Sequence, residues 1–295
     1  MISRVTAPAM TQTAMRHLQA NLSELARLQE QATSQRAFNA PSDDPAAAAA
    51  ALNLHAEQRR NEQYARNIDD GLAWVTTADS TIAGSTALLG RVRDLTVQGA
   101  NDGALDATAK EAIAVELEGI REEMLAKANT RLLGRSVFAG TSNTAAFSGA
   151  PDYTFSGTAD AEVTRRISDG ASVRVDTDGA AVFGSGDDSV FALIDTIVAD
   201  LRSGTNVGPR LDEIDDRQTA MLSAQGAVGT RQSQIERAKE ATVQHSVSLE
   251  TRRAAVEDVD SVEVLVRLQA QELVYRSSLA VNARVLQPSL MDFLQ

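Results

Sequence analysis

Residues 211–256 read LDEIDDRQTAMLSAQGAVGTRQSQIERAKEATVQHSVSLETRRAAV, and this stretch contains no proline. An apolar residue or a threonine returns at every seventh position: Ile214, Met221, Val228, Ile235, Thr242, Leu249 and Val256. A seven-residue repeat places these side chains on one stripe of a helix, as in the seam of a coiled coil. We therefore predict one long helix that packs against another helix along this stripe.

The second seam position of the same repeat is mostly polar. It holds, in order, Leu211, Gln218, Gln225 and Gln232. A second seam runs from Ala65 through Ile68, Leu72, Val75, Asp79, Ile82 and Thr86 to Leu89. Polar residues in a coiled-coil seam lower stability and fix the register of the helices. Both seams are predicted to serve contact rather than catalysis.

Three further helices follow from similar spacing. Near the N-terminus the steps of three and four residues join Met15, Leu18, Leu22, Leu25, Gln29 and Ala32. Another helix contains Ile113, Leu117, Ile120 and Met124, with a capping box predicted at Thr108 and Glu111. The last helix has one stripe with Val259, Val266, Leu273 and Ala280, and a second with Leu265, Leu268, Tyr275, Leu279 and Leu286. So broad an apolar surface needs more than one neighbour to cover it.

The segment between Gly140 and Gly186 has a different character. Six of the chain's aromatic residues lie at positions 138 to 191: Phe138, Phe147, Tyr153, Phe155, Phe183 and Phe191. Short β-like runs are Val163–Ser168, Ser172–Val175 and Ala181–Phe183, separated by Asp-Gly turn signals. A short helix, Ser189–Leu201, is predicted to follow.

The predicted fold class is mainly α. A long antiparallel, coiled-coil-like helical bundle is built from both termini, and a small β-rich insert interrupts it. The predicted domains are residues 1–137 (helical, first half of a rod), 138–188 (outer β-rich insert) and 189–295 (helical, second half).

Composition excludes several classes of protein. The 295 residues include 28 basic and 40 acidic side chains, and a net charge of −12 disfavours nucleic acid as a partner. The absence of cysteine excludes disulfides, thiolate metal sites and a cysteine nucleophile. No stretch approaches the roughly 20 apolar residues of a membrane span. The first ten residues, MISRVTAPAM, lack the apolar core of a signal peptide, which by ordinary secretory logic predicts a cytosolic protein.

No catalytic, cofactor or metal motif is present in the sequence. His17, His55 and His245 each stand alone on a predicted helix, without the converging ligands of a metal site. A cryptic hydrolase acting through Asp43 and Asp44 is an alternative, but acids before a helix more commonly cap its free N–H groups. The prediction is a protein that is not an enzyme and that binds no cofactor.

Four segments resemble the flagellin superfamily. They are the N-terminal region with Ile2-Ser3 and residues 39–46 (NAPSDDPA), residues 91–98 (RVRDLTVQ), residues 133–141 (LGRSVFAGT), and the tail from Tyr275 to Leu294. The tail, YRSSLAVNARVLQPSLMDFL, is more similar to the hook-associated members of the superfamily than to flagellin itself. The resemblance covers both termini in the right order, about two thirds of the chain.

The resemblance implies a structural axial component of the bacterial flagellum, at the hook–filament junction. The implied partners are flagellin, a hook-side junction protein, identical subunits in a helical ring, and a cytoplasmic export chaperone at the C-terminal region. It further implies export without a cleaved signal to an extracellular location, which replaces the cytosolic expectation. The chaperone would cover the face around Leu265, Leu273, Leu279 and Leu286.

The assembly interface is predicted to comprise Leu18, Leu22, Leu25, Leu265, Leu268, Leu273, Tyr275, Leu279, Leu286, Leu290 and Phe293. Two alternatives share the helical pattern. A flagellin proper would polymerise by itself into long filaments. A cytosolic coiled-coil scaffold would fit the heptads without explaining the two matched ends.

Overall fold

The computed structural model describes residues 7–101, 105–158 and 161–285. Its helices are α1 (Ala7–Ser34), α2 (Pro45–Gly99), α3 (Ala107–Ala128), α4 (Gly179–Phe183), α5 (Val190–Ser203), α6 (Arg210–Glu257) and α7 (Ser261–Val285). Its strands form two antiparallel hairpins, β1 (Arg131–Leu132) with β2 (Arg135–Ser136) and β3 (Thr164–Ser168) with β4 (Ala171–Arg174). The mainly α fold class is confirmed.

The chain folds as two compact units. The terminal unit comprises Met1–Arg59 and Ser246–Gln295, and the central unit comprises Arg60–His245. These units are defined by spatial contact, whereas the division into residues 1–137, 138–188 and 189–295 stays a prediction about domains.

The two long predicted seams meet in the central unit. Two polar contacts give the relative direction of α2 and α6. Near the start of α2, Asn61 donates to the Thr242 carbonyl in the second half of α6 at 3.1 Å, and near the end of α2, Arg93 Nε lies 2.7 Å from Asp215 near the start of α6. The helices are therefore antiparallel. The seam residues that are fully buried are Ile68, Val75, Ile82 and Leu89 in α2, and Ile214, Met221, Val228 and Ile235 in α6. The two predicted heptad seams are confirmed in this unit.

Polar seam positions also meet across these helices. Gln225 Nε2 lies 3.4 Å from Asp79 Oδ1, and Thr86 Oγ1 lies 4.0 Å from the sulfur of Met221. Both contacts are half-buried. Directional contacts of this kind select one alignment of two helices, which apolar packing alone does less strictly.

The aromatic residues of the predicted insert pack into the same core as the helices. Phe183 contacts Phe138 edge-to-face with ring centroids 5.4 Å apart, and Phe147 contacts Phe191 in a similar way at 5.4 Å. Phe155 packs against Phe147 at 5.3 Å. This cluster is continuous with the buried side chains of α2, α3, α5 and α6. Edge-to-face aromatic pairs add to the stability given by burial.

Two local predictions were wrong, and local capping explains both. Helix α3 begins at Ala107 because the Asp106 side chain accepts a hydrogen bond from the Ala109 N–H, so the capping box at Thr108 and Glu111 does not form. Residues Ala181–Phe183 belong to helix α4 rather than to a strand. The Asp178 carboxylate caps this helix through the Ala180 N–H.

The predicted β3–β4 hairpin is confirmed within one residue at each end. Gly170 adopts a left-handed φ of 81° at its turn, a conformation that glycine takes without steric cost. Asp176, after β4, is buried and accepts hydrogen bonds from the Val163 N–H and from Arg174. Helix α5 is confirmed, with Ser189 as its N-cap.

Candidate assembly surface of the terminal unit

Helices α1 and α7 of the terminal unit pack against each other in antiparallel directions. Asn21, in the middle of α1, contacts both Gln271 and Ser278 of α7. Leu28 near the end of α1 and Val264 near the start of α7 are both buried. Side chains at least partly buried along this contact are Thr11, Ala14, Leu18, Asn21, Leu25 and Leu28 in α1, and Val264, Leu268, Gln271, Tyr275, Ser278 and Asn282 in α7. We call this set the α1–α7 seam.

The seam of α1 has a different phase from the predicted one. Leu18 and Leu25 belong to both stripes, and both are half-buried. The other predicted seam residues, Met15, Leu22, Gln29 and Ala32, are exposed. Steps of three and four residues from Leu18 and Leu25 fit two stripes, and packing selects the one that buries Leu28 and gives Asn21 its partners.

Helix α7 presents an apolar face away from α1. Opposite its seam lie Val262, Val266, Leu273 and Ala280, which we call the outer stripe. Leu273 is 67% exposed and Val262 is 72% exposed. Beside the outer stripe, four further apolar side chains are exposed: Leu265, Val274, Leu279 and Val281. Contiguous exposed apolar surface of this kind marks interaction sites.

The predicted interface residues therefore fall into three groups. Exposed to solvent are Leu22, Leu265, Leu273 and Leu279, while Leu18, Leu25, Leu268 and Tyr275 lie in the α1–α7 seam. Leu286, Leu290 and Phe293 lie outside the described residues. The prediction omitted exposed Val262, Val266, Val274 and Val281. The sequence pattern placed Val266 on an apolar stripe of this helix, but which side of α7 stays exposed depends on its packing against α1.

A groove runs along one edge of this surface. It has a volume of about 440 Å³ and is bordered by Ala14 and His17 of α1 and by Leu273, Val274 and Val281 of α7. Its lining is mainly apolar. A groove between two helices accepts the side chains of a third helix.

Both acidic residues of the segment before α2 accept hydrogen bonds from backbone N–H groups. Asp43 accepts hydrogen bonds from the N–H groups of Asn39 and Ala40, and these bonds lower its pKa. Asp44 accepts from the N–H groups of Ala46 and Ala47 at the start of α2. The capping interpretation is confirmed for Asp44, whereas Asp43 bonds to the loop that precedes α2 instead of to the helix.

Charged side chains join the start of α2 to the end of α6. His55 Nε2 lies 2.6 Å from Glu257, and Arg253 bonds to both Glu257 and Asp258. Burial alone would raise the pKa of Glu257, but its bonds to Arg253 and His55 outweigh burial and hold that pKa below its usual range. The Glu257 carbonyl also accepts a hydrogen bond from the Ala37 N–H at 2.7 Å. The segment that connects α1 to α2 therefore lies beside the end of α6.

Within the described ranges, no three His, Asp or Glu side chains are grouped so that they could hold a metal ion. The helices of those same ranges include none both long and apolar enough to cross a membrane. The described part of the terminal unit does present a pair of helices with an exposed apolar face.

Comparison with known proteins identifies the family. The model of the bacterial flagellin N-terminal helical region matches residues 5–143, and that of the C-terminal helical region matches residues 211–294. Together the two matches cover about three quarters of the chain. They place the flagellin-like regions at both ends, in the expected order.

Individual relatives are flagellar as well. The chain is 28% identical over 222 residues to flagellar hook-associated protein 3 of Salmonella typhimurium, covering 69% of each chain. It is 25% identical over 283 residues to the flagellin of Bacillus subtilis, covering 92% of each. The flagellar junction protein FlgL of Legionella pneumophila shares the fold, with a TM-score of 0.58 and 16% identity, over 72% of this chain and 100% of that one.

These relatives are structural proteins of the flagellum. The resemblance to the flagellin superfamily is confirmed, and so is the resemblance to its hook-associated members. The chain is a structural component of the bacterial flagellum and belongs to the flagellin superfamily.

Proposed function

We propose that this protein is a junction subunit that joins the hook side of the flagellum to the flagellin filament through its terminal helices. The observation that carries the proposal is the outer stripe of α7, which α1 leaves exposed in a chain of this family. Burying a leucine or valine side chain contributes about 1.5–3 kcal/mol. Covering this stripe with neighbouring subunits therefore supplies a driving force for assembly.

The neighbours in this proposal are of three kinds. Identical subunits in a helical ring lie side by side, flagellin lies on one side of the ring, and a hook-side junction protein lies on the other. The exposed members of the predicted interface, Leu22, Leu265, Leu273 and Leu279, make these contacts. Leu286, Leu290 and Phe293 are included in the proposed interface on the sequence alone, since they lie outside the described residues.

Export is part of the same proposal. The protein reaches its extracellular place unfolded, through the flagellar secretion channel and without a cleaved signal. Before export, a cytoplasmic chaperone covers the apolar face around Leu265, Leu273, Leu279 and Leu286. A chain without cysteine avoids disulfide formation on the way out.

A flagellin proper is the second candidate, favoured by the match over 92% of both this chain and the Bacillus subtilis flagellin. The two roles differ in self-assembly. A flagellin polymerises alone into long filaments, whereas a junction subunit requires a hook end. Incubating the purified protein with short seeds of itself and measuring light scattering separates them.

The test uses one substitution on the outer stripe. Leu273→Asp places a charge on the surface that neighbours cover, and we expect it to abolish incorporation while the central unit folds normally. Gln234→Asp is the matched control, because Gln234 is an exposed polar residue of α6 in the central unit and is not part of the outer stripe. Each variant is expressed in cells that lack the native copy, and filaments are counted by electron microscopy.

Normal filament numbers with both variants would contradict the proposed interface. Loss of filaments with both variants would show that an added charge abolishes incorporation wherever it is placed, and would also contradict a specific role for the outer stripe. Circular dichroism of the purified variants checks folding.

A further inference from the structure

The α1–α7 seam contains a layer of polar side chains at its centre. The side-chain amide of Asn21 donates to the Ser278 hydroxyl at 3.1 Å. The amide of Gln271 donates to the backbone carbonyl of Asn21 at 3.3 Å. All three residues are partly buried. We call Asn21, Gln271 and Ser278 the polar layer.

Helix α7 has two faces that could pack against α1. The outer stripe contains Val266, Leu273 and Ala280, an apolar or small residue at every seventh position. The face that packs against α1 instead carries Gln271, Ser278 and Asn282 among its seam residues. Since apolar burial is non-directional, hydrophobicity alone would turn the outer stripe toward α1. The observed face is the more polar one.

The polar layer accounts for this choice. If the outer stripe faced α1, the region of Leu273 and Ala280 would lie against Asn21, and neither side chain can accept a hydrogen bond. The Asn21 amide would lose its partner while remaining partly buried, which is unfavourable. A polar residue in a helix seam is a known means of selecting one pairing among several.

We propose that the polar layer of Asn21, Gln271 and Ser278 selects which face of α7 packs against α1. By making the more polar face the internal one, it leaves the outer stripe free. The use of that free stripe by neighbouring subunits rests on the proposed function, whereas the choice of face is a property of the single chain.

Disulfide trapping measures the choice of face directly, because the 295 residues include no cysteine. One reporter chain carries Leu28→Cys with Val264→Cys, which lie in the seam. A second carries Leu28→Cys with Val266→Cys, which lies on the outer stripe. The purified chains are oxidised by dissolved oxygen with copper–phenanthroline as catalyst, so that oxygen accepts the two electrons released by each pair of thiols. Trimethylamine N-oxide is added as an osmolyte that favours burial, and the bond yields are compared on gels.

We expect the 28–264 bond to dominate when the polar layer is intact. The single change Asn21→Leu removes the amide that bonds to Ser278 and leaves both faces of α7 as they are, and it should lower the ratio of the 28–264 to the 28–266 yield about tenfold. Ser278→Thr is the control, since it alters the α7 side of the same contact and keeps the hydroxyl. It should preserve the ratio.

An unchanged ratio after Asn21→Leu would overturn the proposal, as would equal yields of the two bonds in the chain with the layer intact. Neither result depends on assembly into a flagellum. Failure of the junction role, seen as normal filaments with Leu273→Asp, would leave the disulfide ratio unaffected. The two proposals are therefore tested separately.

Discussion

Tyr153 shows how a buried hydroxyl makes the central unit sensitive to alkali. The residue is 1% exposed, and its phenol donates to Asp195 at 2.6 Å, while Asp195 also pairs with Arg121. Burial, followed by the hydrogen bond to Asp195, raises the pKa of Tyr153 from its ordinary 10.0 to about 12. The folded protein thus holds the phenol proton more tightly than the unfolded chain does.

The sign of the pH dependence follows from that difference. A raised pKa in the folded state contributes stability that is complete below about pH 10 and is lost as the pH rises toward 12. We expect the free energy of unfolding to fall across this range, and to fall less steeply in Tyr153→Phe. Urea unfolding followed by Trp74 fluorescence measures both slopes. Equal slopes in the two proteins would contradict the assignment.

Core packing between α2 and α6 predicts a large effect at a single seam position. Ile235 is fully buried, so Ile235→Ala should lower the free energy of unfolding by about 2–5 kcal/mol. Val243→Ala in the same helix is the matched control, since Val243 is exposed and its change should stay within about 0.5 kcal/mol. Urea unfolding measures both. Similar losses in the two variants would show that the heptad seam is not the packed interface.

Sequence spacing identifies core residues where only one stripe is apolar. In α6 the heptad from Ile214 to Ile235 has no apolar competitor, and every member is buried. In α1, Leu18 and Leu25 belong to two possible stripes, and the choice between Leu22 and Leu28 depends on the partner helix. The spacing of residues within α1 does not show which of the two stripes is buried, because that depends on which face of α7 packs against it.

At the scale of the element, the start of α3 depends on Asp106. Its carboxylate accepts from the Ala109 N–H at 2.8 Å, one of the free groups at the helix start. Asp106→Ala should lower the free energy of unfolding by about 1 kcal/mol. Thr108→Ala, at the position first predicted to cap the helix, is the control and should have a smaller effect. A larger loss of stability with Thr108→Ala than with Asp106→Ala would contradict this assignment and support the capping box at Thr108 and Glu111.

The missed helix α4 has a similar cause. Asp178-Gly179 is a hairpin-turn sequence, and Ala181–Phe183 is a short β-like run of apolar residues. The same aspartate is also a good N-cap, and here its carboxylate bonds to Ala180. A segment this short can form either a strand or a helical turn with its local hydrogen bonds satisfied. In the helical conformation, Val182 and Phe183 are buried in the core of the central unit. Tertiary packing therefore overrides the local pattern.

At the scale of the whole molecule, the apolar core is unequally divided between the two units. Among the described residues of the terminal unit, the buried apolar side chains are Leu28, Ala48, Ala51, Leu249 and Val264, while the continuous core cluster lies in the central unit. Regions with few buried apolar contacts open more readily. The isolated protein should therefore exchange amide hydrogens faster in α1 and α7 than in α2 and α6 of the central unit. Mass-spectrometric hydrogen exchange measures this, and equal protection would contradict it.

The exposed outer stripe and the sparsely packed terminal unit lead to one account of assembly, in which the terminal helices become fully ordered against neighbours. Coupling of folding to binding would limit premature polymerisation. The family could be predicted from the sequence because two matched ends are specific. Which face of α7 stays exposed could not be predicted from the sequence, because it depends on how α7 packs against α1.

The most direct test adds the purified protein to hook–basal bodies that lack filaments, followed by limited proteolysis and then by flagellin. The account predicts that α1 and α7, cleaved readily in the free protein, become protected on the hook ends, and that flagellin then polymerises from them. Terminal helices already resistant in the free protein, together with no binding to hooks, would contradict the junction role and favour a self-contained coiled-coil protein.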